Sequence, residues 1–207
     1  MLRRAALSAL PLVLLATPAS AQTAPPAKAW SFFASAYIYF VPDASDYVQP
    51  SLTADHDRLH LEARYNYEAQ KTGSAWVGWN FSGGDTLEWE LTPMIGGVFG
   101  DVDGVAPGYK GSISWRKIGL YSESEFVFDA ADTENNFFYN WSELTYSVTD
   151  AFRAGLVVQR TRAYHTDRDV QRGLILGYSY RRAEFTFCLF NPDEDKPAGA
   201  LSVGFHF

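Results

Sequence analysis

Charged side chains at every second position are the first feature with chemical potential in this sequence. Glu88 and Glu90 are separated by one residue, as are Glu123 and Glu125, and Glu62 precedes Arg64 in the same spacing. In an extended chain, residues i and i+2 leave the backbone on one face. Each pair therefore adds to a charged wall. Without a substrate groove, two carboxylates on one wall do not amount to an acid–base couple. Glu184 joins the same face of its own segment, and Glu143 joins if its strand carries a bulge near Ser142. Lys110, Arg116 and Arg153 are the strand cations on the same side as Arg64, and Arg160 sits near a rim with ambiguous parity. Glu90 with Lys110 or Arg116, and Glu125 with Lys110, are the pairs that neighbouring strands would allow; Glu123 and Glu125 could also sit near Glu143 on the next strand, with Arg153 beyond.

Nucleophilic and metal chemistry find little support. The four histidines are His56, His60, His165 and His206; the first and third fall in a turn and a loop, and the other two lie near one rim. A nearby serine would be needed for lipid-cleaving chemistry. The sequence contains no G-x-S-x-G elbow, H-E-x-x-H helix, phosphate-binding loop or dinucleotide fingerprint. The segment Asp101-Val102-Asp103-Gly104 has the opening acids of a calcium loop but lacks the later bidentate glutamate. The lone cysteine, Cys188, excludes a disulfide framework and a cysteine zinc site. No cofactor, no metal and no catalytic residue is assigned.

Composition narrows the class. The chain has 207 residues with 24 acidic against 17 basic side chains, and this −7 balance argues against a nucleic-acid partner. Aromatic residues make up 16%, which is high. No stretch reaches the ~18 apolar residues of a membrane helix.

The opening residues read as an export signal. Arg3 and Arg4 precede an apolar core from Ala5 to Ala16, and Ala19-Ser20-Ala21 supplies the small-x-small cleavage pattern. Cleavage is expected after Ala21, giving a signal peptide over 1–21, a flexible lead-in over 22–29 and one domain over 30–207. Losing Arg3 and Arg4 makes the remainder more acidic.

That domain alternates with period two. In 58–68, Leu59, Leu61, Ala63, Tyr65 and Tyr67 oppose His60, Glu62, Arg64, Asn66 and Glu68. Similar patterns predict strands at 30–40, 46–54, 58–68, 74–82, 86–98, 108–117, 119–128, 137–148, 151–163, 170–181, 183–190 and 198–207. These are about twelve segments near the ~9–11 residues a tilted strand needs to cross an outer membrane. Tight turns alternate with longer polar links at 41–45, 69–73, 99–107, 129–136, 164–169 and 191–197. The fold class is all-β: a closed antiparallel up-and-down transmembrane barrel of about twelve strands, with both ends on the short-turn side.

The final residues, Val203-Gly204-Phe205-His206-Phe207, place Val203, Phe205 and Phe207 on one face and finish on an aromatic. This resembles the carboxy-terminal assembly signal of bacterial outer-membrane β-barrel proteins, and it implies the barrel-assembly machinery as a folding partner. In outline the chain also resembles small twelve-stranded, porin-like channels, including the oligosaccharide-specific porins. Their arginine tracks are not matched by the acidic lining here. The resemblance implies a location in the bacterial outer membrane, among outer-membrane lipid and lipopolysaccharide.

Aromatics near strand ends form the expected girdles: Trp30, Phe40, Tyr67, Trp89, Tyr109, Trp115, Phe128, Phe152 and Tyr180. The opposite face then lines a lumen. Inward Gly78, Gly96, Gly155, Gly173 and Gly204 are expected to leave space, and Phe33, Tyr37, Trp76 and Tyr121 to restrict it. The lumen charges are Glu62, Arg64, Glu88, Glu90, Lys110, Arg116, Glu123, Glu125, Glu143, Arg153 and Glu184. Carboxylates outnumber cations in that set, so an open lumen would pass small solutes and favour cations. Two alternatives stand beside it. One is a closed structural or adhesion-type barrel acting through acidic loops, which could bridge to lipopolysaccharide through divalent cations. The other is a lipid-modifying enzyme built on His60 or His206.

Overall fold

Period-two alternation becomes thirteen strands in the computed structural model, which describes residues 29–163 and 169–207. The expected signal peptide over 1–21, residues 22–28 of the lead-in, His165 and Asp167 lie outside the described residues. The strands are β1 (Ser31–Phe40), β2 (Tyr47–His56), β3 (Leu59–Tyr65), β4 (Thr72–Trp79), β5 (Phe81–Gly83), β6 (Leu87–Gly100), β7 (Gly104–Trp115), β8 (Ile118–Asp129), β9 (Phe137–Ser147), β10 (Phe152–Ala163), β11 (Asp169–Tyr180), β12 (Ala183–Phe190) and β13 (Ala198–His206). All pairings are antiparallel. β1 pairs with β13 and β4 with β6, so the sheet closes on itself.

β4 and β5 are one crossing with a break at Asn80. The register does not slip, because Gly78 faces Met94 and Phe81 faces Leu91. The break falls beside Pro93, whose ring nitrogen has no hydrogen to give to a ladder. Asn80 uses its side chain instead, accepting from Thr92 Oγ1 at 2.7 Å and donating to Asp55 Oδ1 at 2.7 Å. With β5 taken as the continuation of β4, the barrel has twelve crossings.

Among the described residues the connections alternate in length as expected, with one exception; the link expected over 164–169 lies outside them except for Asp169. The link expected over 99–107 shrinks to 101–103, because β6 and β7 extend to 14 and 12 residues. Gly100 makes this tight turn possible at φ 131°, a conformation that favours glycine, and its N–H donates to Asp103 Oδ1 at 3.1 Å.

Burial is inverted relative to a water-soluble sandwich. Large apolar side chains cover the outside, with Ile95 52%, Leu156 55% and Leu174 50% exposed, while Glu62, Arg64, Glu125 and Glu143 are buried inside. A continuous apolar exterior of this kind needs a non-aqueous surrounding. Trp30, Phe40, Trp89, Tyr109, Trp115, Phe128, Phe152 and Tyr180 all face outward.

Tyr67 does not join them. Asn66 adopts φ 57° at the end of β3, which breaks the alternation and turns the Tyr67 phenol inward. β9 likewise departs from expectation. It pairs with β8 and β10 in one unbroken register, so there is no bulge at Ser142. Phe137, Tyr139 and Trp141 are therefore interior and buried. Asn140 and Ser142 take the outer side, where Asn140 Nδ2 donates to Ser122 Oγ at 3.2 Å and Ser122 and Ser142 bond at 3.0 Å. Polar groups facing hydrocarbon are tolerated when they satisfy one another.

The seam between first and last strands is sealed by the terminal residue. Phe207 exchanges two backbone hydrogen bonds with Phe32, at 3.0 and 3.1 Å, and their rings stack with centroids 5.6 Å apart. Phe207→Ala is expected to lower the fraction of heat-modifiable, folded protein in membrane preparations. Recovery at the wild-type level would show that the aromatic clamp is dispensable.

Candidate functional site: the lumen

One wall of the lumen is a continuous polar network. Its centre is Arg64, whose Nε and Nη2 donate to the two oxygens of Glu62 at 2.9 and 3.2 Å, while Nη1 donates to Glu125 Oε2 at 2.8 Å. Glu68 Oε1 lies 3.8 Å from the same Nη1. The guanidinium is flanked by aromatic rings, 4.2 Å from the centroid of Tyr67 and 4.6 Å from that of Trp76. Glu62 also meets Lys110 Nζ at 2.6 Å and His60 Nε2 at 3.3 Å, and His60 Nδ1 meets Asp55 at 2.8 Å. A buried guanidinium of this kind persists because carboxylates surround it.

Glu68 lies beyond the end of β3, where burial pushes its carboxyl above the usual carboxylate range. It accepts from Ser74 Oγ at 2.6 Å. Its second oxygen, Oε2, and Glu125 Oε1 are buried without a hydrogen-bond partner.

The facing wall has a smaller cluster. Glu143 accepts from Trp141 Nε1 at 2.9 Å and from Arg153 Nη1 at 2.9 Å, and Arg153 also reaches Thr186. Between the walls, Glu123 accepts from the hydroxyls of Tyr67 and Tyr121, the latter at 2.7 Å. No cation bonds to Glu123 among the described residues.

An aromatic bar crosses the barrel above these charges. Tyr37 on β1 and Trp141 on β9 meet edge-on at 5.8 Å, although their strands lie five places apart around the ring. Trp141 continues onto Phe190 at 5.7 Å, and Tyr67 meets Tyr139 at 5.4 Å. Toward the long loops the interior is packed by Val127, Val157, Ile175, Cys188 and Phe190, all buried.

Among the described residues, cavities open inside the barrel on either side of Lys110 and Tyr121. One, of about 350 Å³, runs from Phe33, Glu184 and Gly204 near the short turns to Tyr39, Gln49 and Tyr139 toward the long loops. Glu62, Glu123, Glu143 and Glu184 line it against Lys110 and Arg153. The other, of about 470 Å³, opens between Asp55, His60, Asn80, Glu90 and Ser112. Lys110 and Tyr121 border both, so they form the partition between them.

The expected lumen residues thus divide. Glu62, Arg64, Lys110 and Glu125 come together in one network, Glu143 and Arg153 in a second, and Glu123 and Glu184 line the lengthwise cavity. Glu90 lines the second cavity, unpaired with Lys110, which reaches across to Glu62 instead. Glu88 points inward but is exposed at the short-turn end. Arg116 is not a lumen residue: it takes φ 55° in the β7–β8 turn and lies 4.8 Å from the Trp115 ring. Arg160 faces outward over Phe138. Glu184 bonds His206 at 2.7 Å.

The inward glycines do not leave the vacancies expected of them. A Cβ on Gly96 would lie 2.4 Å from the Trp76 indole, and one on Gly204 would lie 2.4 Å from the Phe33 ring. These glycines seat large rings flat against the wall. Gly96→Ala is therefore expected to displace the Trp76 indole and weaken its cover on Arg64, read as a lower unfolding midpoint. An unchanged midpoint would show that the ring moves aside freely.

His60 and His206 are both bonded to carboxylates. Both ring nitrogens of His60 face carboxylates, which leaves neither free to take a serine proton. Several loop acids serve turns: Asp129 accepts from the Ala131 and Asp132 amides, and Asp132 caps a short helical turn at Glu134. Asp193 bonds Arg172 at 2.6 Å, and this guanidinium holds its carboxyl below the usual range; Asp43 bonds Lys196.

A closed antiparallel barrel with an apolar outside and a polar inside is a transmembrane β-barrel of the bacterial outer-membrane type. Among solved structures, the chain is similar in fold to a KdgM porin at TM-score 0.59, with 11% identity over 84% of this chain and 99% of that one. A KdgM porin in complex with disordered oligogalacturonate gives 0.58 at 10% identity, over 86% and 99%. NanC porin gives 0.55 at 10% identity, over 84% and 97%. No family model matches the sequence, and neither does any curated protein.

Proposed function

We propose that this protein is an outer-membrane channel for passive diffusion of small solutes, favouring cations. The observation that carries the reading is the cavity that follows the barrel lengthwise, lined by four carboxylates against two strand cations. Fixed charge in a low-dielectric wall concentrates counter-ions. Glu123 and Glu184 supply the excess, since Glu62 and Glu143 are already matched by Lys110, Arg64 and Arg153. Such a lining opposes a polyanion like the oligogalacturonate found with one KdgM porin.

Planar-bilayer recordings under a salt gradient test this reading. A cation-selective reversal potential is expected, and Glu123→Gln should weaken it at low salt. Glu125→Gln should change it less, because Arg64 already holds that carboxylate. The difference should shrink as salt rises and the Debye length falls below about 10 Å. Anion selectivity would overturn the charge argument.

A second reading has its own support. The Tyr37–Trp141 bar and the buried Arg64 network fill much of the interior, as a closed structural barrel would require. Folded protein that never conducts would favour it, with the acidic loops then carrying the function at the lipopolysaccharide surface.

A further inference from the structure

We infer that the lengthwise cavity is a binding site for a small organic ammonium ion, held by Glu123 against the aromatic walls. The inference deepens the channel reading and rests on it for its physiological sense. The cavity, about 350 Å³, falls within the range of small-molecule sites.

The charge distribution selects the ligand's sign. Glu62 is matched by Arg64 and Lys110, and Glu143 by Arg153. Glu123 is held by two phenols, Tyr67 and Tyr121, which fix its orientation without neutralising it. The Glu123 carboxylate therefore sits in the cavity wall in a fixed orientation, opposite Lys110 in the ladder but not bonded to it.

The neighbouring groups select the ligand's kind. A magnesium or calcium ion needs a shell of several oxygen ligands. Here the one carboxylate bonded to no cation or histidine among the described residues has both oxygens accepting a hydroxyl, and it shares the cavity with the rings of Tyr37, Tyr139 and Trp141. Ring faces attract diffuse, weakly hydrated cations and suit quaternary or alkylated ammonium groups. The anchored carboxylate then supplies the long-range attraction, and the rings replace the weak hydration of the ammonium methyl groups.

The test uses the full barrel in detergent and in bilayers, with choline chloride as probe and glucose and sodium chloride as controls at constant ionic strength. Choline should change the tryptophan fluorescence saturably and reduce the potassium current, while glucose and sodium should do neither. Glu123→Gln should weaken choline binding by about tenfold, the size of one hydrogen-bonded charge contact. Tyr37→Leu, which keeps every charge, should also weaken it while preserving cation selectivity. Heat-modifiability checks that each variant folds.

Equal responses to choline and sodium, or choline binding unchanged in both variants, would overturn the site. The two failures separate. A protein that passes potassium but ignores choline retains the channel and loses the site. A protein that binds choline saturably through Glu123 but never conducts retains the site and loses the channel.

Discussion

Arg64→Ala is expected to destabilise the folded barrel by about 3–5 kcal/mol, the cost of leaving buried carboxylates without their cation. The guanidinium bonds Glu62 and Glu125, stands 3.8 Å from Glu68, and is covered by Tyr67 and Trp76. Its planar fork serves two carboxylates at once, so Arg64→Lys restores charge but not this geometry. Urea unfolding of the barrel in phospholipid vesicles measures the loss. Glu68→Gln is the contrasting variant. It keeps the shape, removes one of three carboxylates around a single guanidinium, and takes away the acid that carries one of the two unpartnered oxygens. It is expected to be neutral or stabilising. A loss as large as that of Arg64→Ala would show that the glutamate charge itself is needed there.

Trp141→Ala is expected to raise single-channel conductance several-fold and to admit larger neutral solutes. The indole is the middle of a bridge from Tyr37 to Phe190, and Tyr37 reaches it from a strand almost opposite in the ring. Removing it also sacrifices packing, about 3–5 kcal/mol for a buried tryptophan, so conductance must be read from protein shown to be folded. Phe33→Ala is the control, since Phe33 packs on Gly204 and the His206 ring near the short-turn end, away from the Tyr37–Trp141 bridge. Equal conductance in wild type and Trp141→Ala would place the narrowest point elsewhere, with Lys110 and Tyr121 the next candidates.

The exterior of the barrel was legible because lipid asks one thing of every strand, an apolar residue at alternate positions. The interior was harder to read because it mixes three environments. Near the short turns it is polar, and alternation shows it. Toward the long loops it is dry, and both faces of the strands are apolar: Leu156-Val157-Val158, Leu174-Ile175-Leu176 and Phe126-Val127-Phe128. Such unbroken runs mark strands buried on both sides, and this signal identifies the packed half of the lumen. In β9 the large aromatics lie inside and the polar Asn140 and Ser142 outside, so assigning aromatics to lipid suggested a bulge that is absent. Tyr67 and Arg116 were misplaced for a different reason. Each depends on one left-handed residue at a strand end, where period two stops. The partner of Arg64 could not be read, since Arg64 and Glu125 sit on strands that are not ladder neighbours.

The clasp between β1 and β13 ties the beginning of the domain to its end, with Phe33 opposite His206 and Phe32 bonded to Phe207. A ring closed by its two outermost members has no stable partial form: until the last strand arrives, two rows of unpaired amides and carbonyls face hydrocarbon. Bringing such distant segments together also carries the loop-closure entropy of the whole domain. Maturation is therefore all-or-none with respect to length. A chain missing its final hairpin is left as an open ribbon for proteases, while the finished ring offers them only its loops.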